Sequence, residues 1–75
     1  MTNEQLITMA NQIGAFFQSY PDQVQAQHDI AIHLNRFWAL GMRQQISQYV
    51  QESSGQGLDA NVIAAIKSHI KLPHN

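Results

Sequence analysis

Asp22-Gln23-Val24-Gln25-Ala26-Gln27-His28-Asp29-Ile30-Ala31-Ile32-His33-Leu34-Asn35-Arg36-Phe37-Trp38 is the stretch that decides the fold. Ala26, Ile30, Leu34 and Phe37 recur at steps of four and three, the spacing of one helix face, with Ala31 and Trp38 alongside. Asp22 suits the N-cap, where a carboxylate accepts from backbone N–H groups that the first turn leaves unpaired, and Gln25 stands at the third helical position. At 100° per residue Ile32 falls on the opposite side, while Asp29, His33 and Arg36 flank the stripe along one edge. Phe37 and Trp38 cannot both point straight into one core. One is expected to fill the bundle and the other to sit at its edge.

Working outward, Thr2 followed three residues later by Gln5 has the form of a capping box. Leu6, Ala10, Ile13, Phe17 and Tyr20 then form a helical stripe, widened by Met9 and Phe16 on one side and Ile7 on the other. Gly14 lies beside that stripe; its cost of roughly 1 kcal/mol against alanine is offset if another backbone packs closely there. Pro21 is expected to stop this helix.

In the other direction, Ala39-Leu40-Gly41 is expected to end or bend the second helix, with glycine as a C-cap. Met42, Ile46, Tyr49 and Val50 make a third stripe, ending near Glu52. Ser53-Ser54-Gly55-Gln56-Gly57 reads as a loop. Asp59 is the expected cap of a fourth helix with Val62, Ile63, Ile66 and Ile70 inward and Lys67 and Lys71 in its last turns. Leu72-Pro73-His74-Asn75 is expected to fray. There is no strand alternation and no internal repeat. The expectation is one all-α domain over 1–75, a small bundle of three to four short helices.

The 75 residues can bury only about 60% of the surface of the unfolded chain, which leaves little room for a deep catalytic pocket. Charged residues make up 12%, half the usual level of about 25%, and the net charge is −1. Four Lys and Arg side chains can neutralise few phosphates, which argues against nucleic acid and against a basic membrane-surface helix. A polar surface with little charge is easier to desolvate against a partner. No cysteine is present, so thiolate catalysis and cysteine-held zinc or iron–sulfur sites are excluded for this chain. No apolar run approaches the roughly 18 residues of a membrane span. Met1-Thr2-Asn3-Glu4 has neither a basic leader nor a hydrophobic signal core, and the cytoplasm is the expected location.

Four histidines raise the question of a metal. His28 and His33 are five apart, as are His69 and His74, whereas a helical ligand pair needs a spacing of four. No carboxylate completes either set, and no metal site is expected. Asp29, His33 and Arg36 read either as a polar contact strip or as helix pairs worth a few tenths of a kcal/mol. No nucleophile stands near them, and no catalytic or cofactor-binding residue is expected. Arg43 is the only basic residue of the helix after the Gly41 break, too little for a DNA-reading helix. Ser53 and Ser54 sit before a glycine-rich loop with few acids, unlike the modifiable serine of a carrier protein.

Ile30-Ala31-Ile32-His33-Leu34-Asn35-Arg36-Phe37-Trp38 with Met42-Arg43 resembles the central signature of the delta subunit of NAD-dependent, molybdenum-containing formate dehydrogenase. Met9-Ala10-Asn11-Gln12-Ile13 with Phe16-Phe17 is similar to the first helix of that family, and Gly57-Leu58-Asp59 with Val62 and Ala65 to its closing segment. The likeness runs from about Leu6 to Ile70. It departs at Ala39-Leu40-Gly41, where the family carries Asp-Pro, so the cap there must be built differently.

The resemblance implies a non-catalytic accessory subunit that docks on the large molybdenum-containing subunit and supports its assembly, cofactor loading or stability. It also implies that molybdopterin guanine dinucleotide, iron–sulfur clusters and flavin belong to partner subunits, with none in this chain. The expected partner contacts are Ile32, His33, Arg36, Trp38 and Arg43, with weak self-association of the isolated chain. The alternative is an independent small helical regulatory or nucleic-acid-binding module.

Overall fold

Four helices and no strand make up the described residues, 1–73, of the computed structural model: α1 (Asn3–Phe16), α2 (Gln23–Phe37), α3 (Leu40–Ser53) and α4 (Ala60–His69). None of them is long and apolar enough to cross a membrane. His74 and Asn75, and with them the expected His69–His74 spacing and the end of the tail, lie outside the described residues.

The first cap forms as its spacing requires. The Gln5 backbone N–H donates to Thr2 Oγ1 at 3.2 Å, and the Thr2 N–H donates to Gln5 Oε1 at 2.9 Å. α1 stops at Phe16, earlier than Pro21 alone dictates. The chain tightens through Phe17→Gly14, Gln18→Ala15 and Tyr20→Phe17 backbone bonds, which carry it into Pro21. Tyr20 is therefore outside the helix, and Phe16, expected to widen the buried stripe, is 78% exposed. At α2, Asp22 Oδ1 accepts from the N–H groups of Val24 at 2.9 Å and Gln25 at 3.3 Å.

The turn between α2 and α3 corrects two expectations. Trp38, not Phe37, fills the core: Trp38 is 5% exposed and Phe37 68%. Phe37 closes the last helical turn, whereas Trp38 leaves the helix in an extended conformation that swings its ring inward. Gly41 is not a C-cap. It lies inside α3, whose N-cap is Ala39 and whose first residue is Leu40. The left-handed backbone that favours glycine occurs instead after α3, at Ser54, Gly55 and Gly57.

The core draws on every helix: Leu6 and Ala10 from α1, Ile30, Ala31 and Leu34 from α2, Ile46 and Val50 from α3, Val62, Ala65 and Ile66 from α4. Trp38 and Leu58 complete it, and Ile7, Met9, Ile13, Phe17, Met42, Tyr49, Ile63 and Ile70 pack around it. α2 lies most extensively on α4. A close approach does occur at Gly14, but from a side chain: a Cβ there would meet Val62 Cγ2 at 2.7 Å. Lys71, expected in the last turn of α4, lies past its end.

Candidate partner-docking surface

Polar side chains first fix the frame on which the surface stands. Asn11 of α1 donates to the Gly57 carbonyl at 2.8 Å and accepts from the Asp59 N–H at 2.9 Å. Asp59 occupies the N-cap of α4, yet its carboxylate receives no capping bond; Asn11 holds the entry instead. Asn35 of α2 repeats the arrangement at the other end of α4, donating to the His69 carbonyl at 3.1 Å and accepting from the Lys71 N–H at 2.8 Å. Each asparagine uses its amide as a backbone would, with one donor and one acceptor.

Arg43 extends this second tie. Its guanidinium donates to the carbonyls of Trp38 at 2.7 Å, Lys71 at 3.1 Å and Asn35 at 3.4 Å. The side chain expected to reach for a partner is engaged within the fold, joining the end of α2 to the segment after α4. A cation suits that place, where carbonyls at two helix ends lack helical donors.

Of the other four expected contact residues, Ile32, His33 and Arg36 line one recess, whereas Trp38 is buried in the core and reaches the surface only as lining of the groove beside it. A groove of about 630 Å³ opens between α1 and the end of α2, lined by Met9, Gln12, Ile13, Phe16, Phe17, His33, Phe37, Trp38 and Met42. Trp38 forms buried floor, and Phe16 and Phe37 stand exposed on the two helices. A recess of about 190 Å³ adjoins it, lined by Phe17, Asp29, Ile32, His33, Arg36 and Phe37. The half-buried His33 ring lies 4.8 Å from the Phe37 ring, and Ile32 is 50% exposed.

Aromatic packing stiffens the α1 side. The Phe17 ring meets Phe16 edge-on at 5.0 Å and Tyr20 at 5.2 Å. Asp29 accepts from Gln25 Nε2 at 2.9 Å. Its carboxylate also acts on Tyr20: hydrogen bonding to it raises the Tyr20 pKa above the ordinary value of 10, with desolvation and the Asp29 charge acting in the same direction.

Sequence reasoning missed Phe16 as a surface residue and the whole α1 wall as a participant. A signal was present: Met9, Ile13, Phe16 and Phe17 cover more of α1 than one buried stripe needs. The spacing rule also could not show that His28 and His69 meet across α2 and α4, their ring centroids 4.2 Å apart. Among the described residues, no three His, Cys, Asp or Glu side chains come together as a metal site.

The family model of the NADH-dependent formate dehydrogenase delta subunit FdsD matches residues 5–71. The chain belongs to this family. No curated protein and no solved structure matches it. As a delta-subunit family member it is a component of a formate dehydrogenase complex. The segments of this delta-subunit sequence that carry the family likeness divide by task. Asn11, Asn35 and Arg43 hold the fold together, while His33, Phe37, Phe16 and the Trp38 floor shape the open groove.

Proposed function

We propose that this delta-subunit family member is a non-catalytic accessory subunit that docks on the molybdenum-containing catalytic subunit of a formate dehydrogenase, in the cytoplasm, and supports its assembly, cofactor loading or stability. The observation that carries the reading is the apolar α1/α2 face left open in a chain whose family is named for a subunit of that complex. Aromatic side chains set in a shallow apolar groove are the usual anchors of protein–protein contacts. The redox groups (molybdopterin guanine dinucleotide, iron–sulfur clusters and flavin) are assigned to partner subunits. This chain, without cysteine, offers no thiolate to a cluster.

Docking acts by differential affinity. A subunit that binds one conformation of its partner shifts the partner toward that conformation, by no more than the difference in affinity. At a concentration 100-fold above Kd the bound state gains about 2.7 kcal/mol. The test is co-expression of the tagged chain with the other formate dehydrogenase subunits, followed by size-exclusion chromatography and molybdenum analysis. Co-elution with the molybdenum-containing subunit is expected, with lower molybdenum occupancy when the chain is deleted. A catalytic subunit that elutes alone, fully loaded and fully active in either background, overturns the reading.

A further inference from the structure

We propose that the groove between α1 and α2 receives an amphipathic helix of the partner subunit, with its apolar side chains between Phe16 and Phe37 and a carboxylate opposite Arg36. This rests on the accessory-subunit reading and adds the chemistry of the occupant. Three observations select that occupant.

The first is shape. Phe16 and Phe37 stand on two different helices, the less exposed lining includes Ile13, Met42 and the buried Trp38, and the described residues hold no strand edge to template an added strand. Rows of side chains on a third helix fit between two helices as ridges into a groove. The second is polarity. Among the described residues that line the groove, Gln12 and His33 alone are polar, and Phe16 and Phe37 are among the most exposed apolar side chains. The occupant must therefore bring an apolar stripe.

The third is charge. Arg36 is exposed beside the adjoining recess, one residue before Phe37. Asp29, the acid in the same recess, is half-buried and accepts from Gln25, whereas Arg36 is exposed. Arg43, the next cation along the chain, is directed into three carbonyls. The exposed cation of this rim is thus Arg36, whose planar guanidinium fork matches a carboxylate.

The test uses the co-expressed complex and two readouts. The affinity of the wild-type chain for the catalytic subunit is compared with that of Phe16→Ala/Phe37→Ala and of Arg36→Glu, each checked for wild-type helicity and melting. The double variant is expected to bind at least about tenfold more weakly. Arg36→Glu is expected to weaken binding at low salt, with the difference shrinking as salt rises. A photoreactive phenylalanine analogue at position 37 then identifies the occupant. Adducts are expected on one partner segment with apolar residues three and four apart and an acidic residue beside them.

If the wild-type chain binds no catalytic subunit, the accessory-subunit reading itself fails. If it binds and the double variant binds equally well, the groove is not the site, and the accessory role stands without it. Equal affinity for Arg36→Glu at low salt removes the carboxylate from the proposal. Adducts on a loop, on a strand, or on a second copy of this chain overturn the helix.

Discussion

Two adjacent aromatic residues have opposite tasks, and their substitutions should separate cleanly. Trp38 is enclosed by the core, so Trp38→Ala is expected to cost about 3–5 kcal/mol, enough to unfold much of so small a domain. Phe37 faces solvent, and Phe37→Ala is expected to change stability by no more than about 0.5 kcal/mol. Urea denaturation of the two variants checks this, and equal losses would contradict the assignment of floor and rim. Tyr20 offers a second measurement at the same scale. Its neutral hydroxyl is favoured in the folded chain, so the tie to Asp29 contributes below the unfolded tyrosine pKa of about 10 and is lost as pH rises through the higher folded value. In a Tyr49→Phe background, tyrosinate absorbance reports Tyr20 alone. The midpoint is expected above 10, and Asp29→Asn is expected to bring it down; an unmoved midpoint excludes Asp29 as the cause.

Helix ends show where the sequence was legible and where it was not. Thr2/Gln5 and Asp22 cap as their spacing indicates, because a cap is a local arrangement of residues two or three apart. The start of α3 is also local, and it is bare: Ala39 stands at the N-cap with no side-chain bond, and Leu40 is the first helical residue. These are the positions that Asp-Pro would fill. Ala39→Asp is therefore expected to stabilise the chain by about 1 kcal/mol, raising Tm by about 4–8 °C in a thermal melt. No gain would mean that the α3 entry is held by something other than its cap. At α4 the carboxylate of the locally expected cap, Asp59, accepts no capping bond, and its backbone N–H is held by Asn11, 48 residues earlier. Asn11→Ala is expected to cost about 1–2 kcal/mol and Asp59→Ala less, with the order reversed if Asp59 were the working cap. Periodicity placed all four helices because it records which face is buried. It did not place Asn11, Asn35 or Arg43, because an amide or guanidinium that bonds a distant backbone looks in sequence like any surface residue. For the same reason periodicity alone puts Phe16 and Phe37 in the stripes: their angle fits a buried face, and the missing neighbour is a property of packing.

At the scale of the molecule, the question is whether an open seam between α1 and α2 divides the fold into independent halves. The core says it does not. Its buried cluster takes side chains from all four helices, and Trp38 stands both in that cluster and beneath the groove. α4 is tied at its start to α1 through Asn11 and at its end to α2 through Asn35, so neither neighbour can leave without freeing an end of α4. Unfolding should therefore be a single transition. A chain of 75 residues at about 0.7 kcal/mol per residue is expected to show an unfolding enthalpy of about 50 kcal/mol near 60 °C, with calorimetric and van't Hoff values equal. A calorimetric enthalpy well above the van't Hoff value would reveal a half that melts by itself. Phe16→Ala/Phe37→Ala should leave this transition where it is, because neither ring belongs to the buried cluster. That separation is what makes the groove testable: the two rim rings lie outside the buried cluster, so they can be removed while the fold keeps its shape, and any drop in affinity is read at the contact itself.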